Sequence, residues 1–212
     1  MDGTIVDTEP YWMAAEEELV GSFAGTWTHD DALQLVGSGL WESARIFQDH
    51  GVALDADAIV EWLTRRVREQ LEEFGLPWRP GARELLEALR EASVPAALVT
   101  MSVRSMADDV IRQIPFHAFD AIVTGDSVAN AKPHPEPYLV AAAELGVDIA
   151  DCVAFEDSPP GVASAAASGA ITVGVPNILS LDDAPATVLW ASLDGRTVAD
   201  VAALVHLRKA SA

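Results

Sequence analysis

Met1-Asp2-Gly3-Thr4 opens the chain, and Ile5-Val6-Asp7-Thr8-Glu9-Pro10 follows directly. Asp-Gly-Thr reads as a tight acidic turn. Three later stretches look built to face it: Val99-Thr100-Met101-Ser102, Ala131-Lys132-Pro133 and Phe155-Glu156-Asp157-Ser158. Two of them put polar side chains at the end of a short apolar run. If the runs are parallel strands, Thr100, Glu156 and Asp157 collect at their carboxyl ends, where ligands bind in open α/β sheets.

From Pro80 onward the pattern supports that condition. Helical stretches at 81–92, 103–114, 135–145 and 160–168 alternate with short apolar runs at 94–100, 121–124, 152–156 and 171–175. A last strand at 188–193 precedes a helix at 198–207. Strands alternating with helices predict a doubly wound (Rossmann-like) parallel sheet covered on both faces. The region before Pro80 is different. Apolar residues recur at helical spacing in 11–23 (Trp12, Ala15, Leu19, Phe23), 30–36, 41–50 and 55–74 (Ile59, Leu63, Val67, Leu71, Phe74). Glu16-Glu17-Glu18 reads as a largely outward, solvated face. Four helices without a strand predict an inserted all-helical cap at 12–77, with 1–11 and 78–212 forming the α/β core.

Each polar group has a plain structural reading beside a chemical one. Glu156-Asp157 closes a buried run, so the two carboxylates repel unless a cation sits between them and Asp2. Hard oxygen ligands suit Mg²⁺. The plain alternative is a cap, from Asp157 or Ser158, on the helix that follows. Lys132 before Pro133 is by itself a loop residue, and Thr100 by itself an ordinary strand end. Ser102 caps the next helix or touches a phosphate, and the cap is the preferred reading. Cys152 reads as a small buried residue opening a strand. His29, His50, His117, His134 and His206 show no metal-ligand spacing.

Taken together, Asp-Gly-Thr, Val-Thr-Met-Ser, Lys-Pro-x-Pro-x-x-Tyr and Phe-Glu-Asp-Ser-x-x-Gly resemble the four motifs of the haloacid-dehalogenase-like phosphatases, in the subgroup that contains β-phosphoglucomutase. The resemblance implies an enzyme hydrolysing a small organic phosphate monoester with Mg²⁺ through an aspartyl-phosphate intermediate. It makes Asp2 the general acid/base and a metal ligand through its backbone carbonyl. Thr100, Met101 and Lys132 become the phosphate grip, with Thr100 and Lys132 serving catalysis. Asp157 becomes a Mg²⁺ ligand, and Glu156 a ligand or its support. Asp7 is expected to stabilise the turn after Thr4. The family's nucleophilic Asp falls at the position before Met1, at the end of an apolar strand that the 212 residues do not contain. The expectation is a late start: a gapped sheet, poor folding and no turnover, all restored by an upstream strand and Asp.

Three departures sharpen this. Ala131 stands where the family has Gly, Trp12 where the mutases carry a His, and Gly37-Ser38-Gly39-Leu40 lacks the mutases' phosphate-binding Arg. The last two favour hydrolysis over the nearest alternative, a β-phosphoglucomutase-like phosphomutase. A non-catalytic truncated chain is the alternative from another class. The L-2-haloacid dehalogenases lack Asp-Gly-Thr and need no metal.

Composition bounds the partners. Acidic residues number 33 against 13 basic, a net charge of -20, which argues against nucleic acid and anionic membranes. One cysteine forbids an internal disulfide and fits a reducing cytoplasm. The expectation is a cytoplasmic monomer acting on a small phosphorylated metabolite, with a hydrophobic fraction of 50% to supply the core.

Overall fold

Residues 1–211 are described by a computed structural model. Four helices come first: α1 (Glu9–Ser22), α2 (His29–Leu33), α3 (Leu40–Asp49) and α4 (Ala56–Phe74). Their ends are set locally. Pro10 occupies the first turn of α1, where its missing N–H is no loss. Thr28 and Asp31 form a reciprocal capping box on α2. The Asp55 side chain accepts from the Ala58 N–H to cap α4. The buried stripe of α4 is Ile59, Leu63, Val67 and Leu71, packed mainly against α1 and α3. Phe74, expected to extend that stripe, is 64% exposed and only tilts against Tyr11.

The rest alternates as the sequence predicts: α5 (Ala82–Glu91), β1 (Ala97–Val99), α6 (Arg104–Gln113), β2 (Ala121–Val123), α7 (Glu136–Leu145), β3 (Val153–Glu156), α8 (Pro159–Ser168), β4 (Ile171–Gly174), β5 (Val188–Leu189) and α9 (Val198–Ser211). Every strand pair is parallel. Every strand is shorter than its apolar run, β1 and β5 most. Residues 94–96 are irregular and stay outside the ladder: Pro95 offers no donor and the Asp120 side chain accepts from the Ala96 N–H. The β4–β5 ladder ends where the Trp190 N–H donates to the Gly174 carbonyl. Cys152 is half-buried and precedes β3 rather than opening it.

The sheet is in two parts, β1–β2 and β3–β4–β5. Leu98 of β1 and Ile122 of β2 pair in register, as do Phe155 of β3 and Val173 of β4. Between β1 and β3 runs a slot of about 570 Å³. Helices α5 and α7 border it, and Met1 lines one end.

The helical region joins the α/β region through apolar packing and one ion pair. Leu63, Val67 and Leu71 belong to the same buried cluster as Leu98, Met106 and Val110. Arg68 of α4 pairs with Asp109 of α6. Among the described residues no helix is long and apolar enough to cross a membrane.

Candidate active site

The first turn is fixed by its backbone. Gly3 and Ile5 donate to Val6 and Met1 carbonyls at 2.8 Å each. Gly3 has φ +69°, and a Cβ there would lie 2.0 Å from Asp157 Oδ2. Only glycine meets both conditions. Gly3→Ala is therefore expected to destabilise by about 1–3 kcal/mol in a urea melt. A change under ~0.5 kcal/mol would show that the turn is not locked against Asp157.

Asp2 sits at the centre. Its Oδ1 accepts from Thr8 Oγ1 at 2.5 Å and Trp12 Nε1 at 3.4 Å. Its Oδ2 accepts from Ser102 Oγ at 2.8 Å and Thr100 Oγ1 at 3.3 Å. Two chain segments, the start of α1 and the loop after β1, thus aim donors at one carboxylate. Ser102 is not a helix cap: α6 begins after Val103, with no side-chain cap, and the serine hydroxyl turns into the site. Thr100 Oγ1 also accepts from the Ser102 N–H at 3.1 Å, which stiffens the loop leaving β1.

Lys132 is buried and donates to Glu156 Oε1 at 2.5 Å and to the Val99 carbonyl at 3.3 Å. Its own N–H donates to Met101 Sδ at 3.4 Å. Tyr138 of α7 donates to the same Glu156 oxygen. Burial, then the Glu156 charge and its hydrogen bond, hold the Tyr138 phenol well above its ordinary pKa, so it stays a donor. Glu156 therefore anchors Lys132 at the strand ends.

Asp157 Oδ1 accepts from Thr4 Oγ1 at 2.6 Å. Burial and then the Glu156 charge push its carboxyl up to about 6, against the lowering effect of the Thr4 hydrogen bond and Lys132. Ser158, not Asp157, caps α8, accepting from the Gly161 N–H at 3.3 Å. Among the described residues no group of three His, Cys, Asp or Glu side chains is placed to hold a metal ion. The donor set still fits a hard cation in part. Asp2 and Asp157 present oxygens from either side of the Gly3 turn, and a buried carboxyl near 6 is one that a cation would ionise. Glu156 is engaged by Lys132 and Tyr138.

The helical region closes the other side. A cavity of about 90 Å³ lies against Met1, Asp2, Lys132 and Asp157 on one side and Glu9, Trp12 and Glu16 on the other. Glu16 is buried, not solvated as expected from its acidic run, and its Oε2 accepts from Trp27 Nε1 at 3.2 Å. Burial raises Glu16 to about 8. Burial and then the charges of Asp2 and Asp157 raise Glu9 to about 8. Glu16 falls four residues after Trp12 and three before Leu19, on the buried face, so its position was readable from periodicity. Asp7 reaches further than its own turn: its Oδ1 accepts from Asn177 Nδ2 at 3.1 Å. No sequence signal pointed to Tyr138 as the partner of Glu156.

A parallel α/β sheet carrying an acid, a cation and hydroxyls at its strand ends, under a helical lobe, defines a hydrolase of the phosphoryl-transfer type. The chain belongs to the haloacid dehalogenase-like hydrolase family, whose model matches residues 1–175, and it is a phosphatase of that family. It is 32% identical over 173 residues to a phosphorylated carbohydrates phosphatase of Thermotoga maritima, covering 80% of this chain and 79% of the relative. It is likewise 32% identical over 179 residues to the fructose-1-phosphate phosphatase YqaB of Escherichia coli, covering 82% and 93%. Among solved structures it resembles CbbY of Rhodobacter sphaeroides in complex with phosphate. That match has a TM-score of 0.85 at 26% identity and covers 94% of this chain and 95% of that one.

Proposed function

We propose that the chain hydrolyses the phosphate monoester of a small carbohydrate with Mg²⁺, through an aspartyl-phosphate intermediate. One observation carries the reading: Asp2, Lys132 and Asp157, distant in sequence, line one cavity, with Thr100 donating to Asp2. The relatives' names supply the substrate class.

In this reading the nucleophilic aspartate that the family resemblance implies attacks phosphorus. The phosphorus–oxygen bond to the sugar breaks, and Asp2 gives its proton to the departing oxygen. Asp2 then takes a proton from water, which attacks the acyl phosphate and frees inorganic phosphate. Lys132 offsets the charge on the phosphoryl oxygens, while Thr100 and Ser102 hydroxyls and the Met101 backbone grip them. Mg²⁺ on Asp157 and the Asp2 carbonyl would supply further positive charge, with Glu156 holding Lys132 beside it. Residues 12–77 serve as a cap, hinged near 8–10 and 78–80, that excludes water. The protein works as a cytoplasmic monomer.

The phosphomutase alternative needs a second phosphate site. Lys132 is the one Lys or Arg side chain among the described residues that line the cavity, and it serves the transferred group. Hydrolysis therefore stands ahead of mutase chemistry.

The deciding experiment uses the chain extended upstream by an apolar strand ending in Asp. Phosphate release from a sugar-phosphate panel with Mg²⁺ is expected, and Asp2→Asn should abolish it. Release that survives Asp2→Asn refutes the mechanism.

A second expectation concerns the metal. Asp157 has its folded pKa raised from 3.8 to about 6. The folded state therefore keeps a proton that the unfolded chain releases, and stability from this group is lost as pH rises through that window. Without metal, Asp157→Asn should be more stable than the parent near pH 7.5 by up to ~3 kcal/mol, and about equal below pH 4. Mg²⁺ should raise the parent's melting temperature near pH 7.5, but not the variant's. Equal Mg²⁺ responses in calorimetry would remove Asp157 from the site.

A further inference from the structure

The helical wall of the catalytic cavity carries a carboxyl that the hydrolysis does not use. Glu16 of α1 is 6% exposed and lines the cavity that Asp2, Lys132 and Asp157 line from the other side. Trp27 Nε1 donates to its Oε2 at 3.2 Å. Trp27 is itself held in place, stacking on Phe47 and meeting His50 edge-on, so the direction of Glu16 is fixed from behind. Among the described residues no donor reaches Glu16 Oε1. Glu9 comes two turns earlier on the same helix, about 10 Å away along its axis. The charges of Asp2 and Asp157 act on Glu9, whereas burial and Trp27 act on Glu16. Glu9 thus stands toward the reacting end of the cavity and Glu16 toward its far end.

A buried acid needs a partner, and the cavity does not supply a cation. The titratable groups that share the lining with Glu16 are Asp2, Glu9, Lys132, Glu156 and Asp157. Lys132 is taken up by Glu156, and the rest are acidic, so the field over the wall favours positive charge. A glutamine would accept from Trp27 and read a sugar hydroxyl without the penalty of a buried acid. What a carboxyl adds is charge, which an ammonium rewards and a hydroxyl does not. We propose that Glu16 is a specificity-determining residue that selects a substrate bearing a protonated amino group, an amino sugar phosphate over its neutral counterpart. The inference rests on the phosphatase reading, which puts the phosphate at Lys132 and the rest of the substrate against α1. Trp27 is the positioning residue behind Glu16.

The test is calorimetry on the 212-residue chain without Mg²⁺, so that binding is read apart from turnover. The probes are glucosamine 6-phosphate with glucose 6-phosphate, and glucosamine 1-phosphate with glucose 1-phosphate. Each pair differs only by an amino group in place of a hydroxyl. In at least one pair the amino sugar should bind about tenfold more tightly or better. Near pH 6.5 it should also release about one proton more than its neutral partner, the proton that Glu16 holds. Glu16→Gln should bring the two affinities to within about threefold of each other and remove the extra proton. Trp27→Phe keeps the ring but loses the N–H, and should narrow the preference by a smaller factor. Equal affinities within both pairs, or a preference that survives Glu16→Gln, would overturn the proposal and leave the phosphatase reading standing. Failure of all four sugar phosphates to bind would overturn both.

Discussion

Lys132→Ala is expected to destabilise the protein by about 3–5 kcal/mol, because it leaves the Glu156 carboxylate buried without its cation. Both side chains are nearly inaccessible, 6% and 5% exposed, and their charged atoms lie 2.5 Å apart. Tyr138 would remain as a hydroxyl donor to Glu156, which offsets only part of the loss. At ~2–4 °C per kcal/mol for a chain of this size, the melting temperature should fall by roughly 10 °C. The double variant Lys132→Met with Glu156→Met separates the two jobs of the lysine. Replacing both charges by apolar groups of similar volume should recover most of the stability, while phosphate release by the upstream-extended enzyme stays absent. A single variant as stable as the parent would mean that the pair is solvated, and the anchoring role would fall.

The alternation after Pro80 was legible because each strand is a short apolar run bracketed by helix caps and turns. The helix starts expected at 55 and 160 lie within a residue of those found, where Asp55 and Ser158 cap, whereas the helix expected from Asp30 is capped by Thr28. What sequence could not show is which side chains spend their polar groups on one another. Glu156 looked like a third metal ligand because it adjoins Asp157. Its partners, Lys132 and Tyr138, lie 24 and 18 residues away, and only the meeting of β3 with α7 and the loop before it brings them together. Ser102 was ambiguous for a similar reason. Serine before a helix usually caps it, but here the helix starts one residue later and the hydroxyl is drawn to Asp2. The gapped sheet was expected from the family resemblance and not from residue patterns, since an apolar run shows that a strand exists and not which strand lies beside it.

Glu16→Gln is expected to make the protein more stable at alkaline pH. The side chain is buried on the cavity wall and accepts from Trp27 Nε1 at 3.2 Å. Burial raises its pKa from 4.5 to about 8, the Trp27 hydrogen bond opposing. The folded pKa lies above the unfolded one, so the folded state holds a proton that the unfolded chain gives up. The group's stability is fully present below about pH 4.5 and is lost as pH rises through 8. Glutamine keeps an acceptor for Trp27 and has nothing to ionise. At 1.36 kcal/mol per unit, the variant should exceed the parent by about 1 kcal/mol near pH 5.5 and by ~4–5 kcal/mol near pH 8.5. Chemical denaturation at those two pH values measures the difference directly, and comparing variant with parent cancels the general repulsion of a chain carrying -20. A constant difference across that range would place a cation or water against Glu16 and return it to the solvated face that its acidic run suggests. Glu9 shares the wall and the upward shift, but its shift depends partly on the charges of Asp2 and Asp157. The stability gained by Glu9→Gln should therefore depend on Mg²⁺, while that gained by Glu16→Gln, where burial is what raises the pKa, should not.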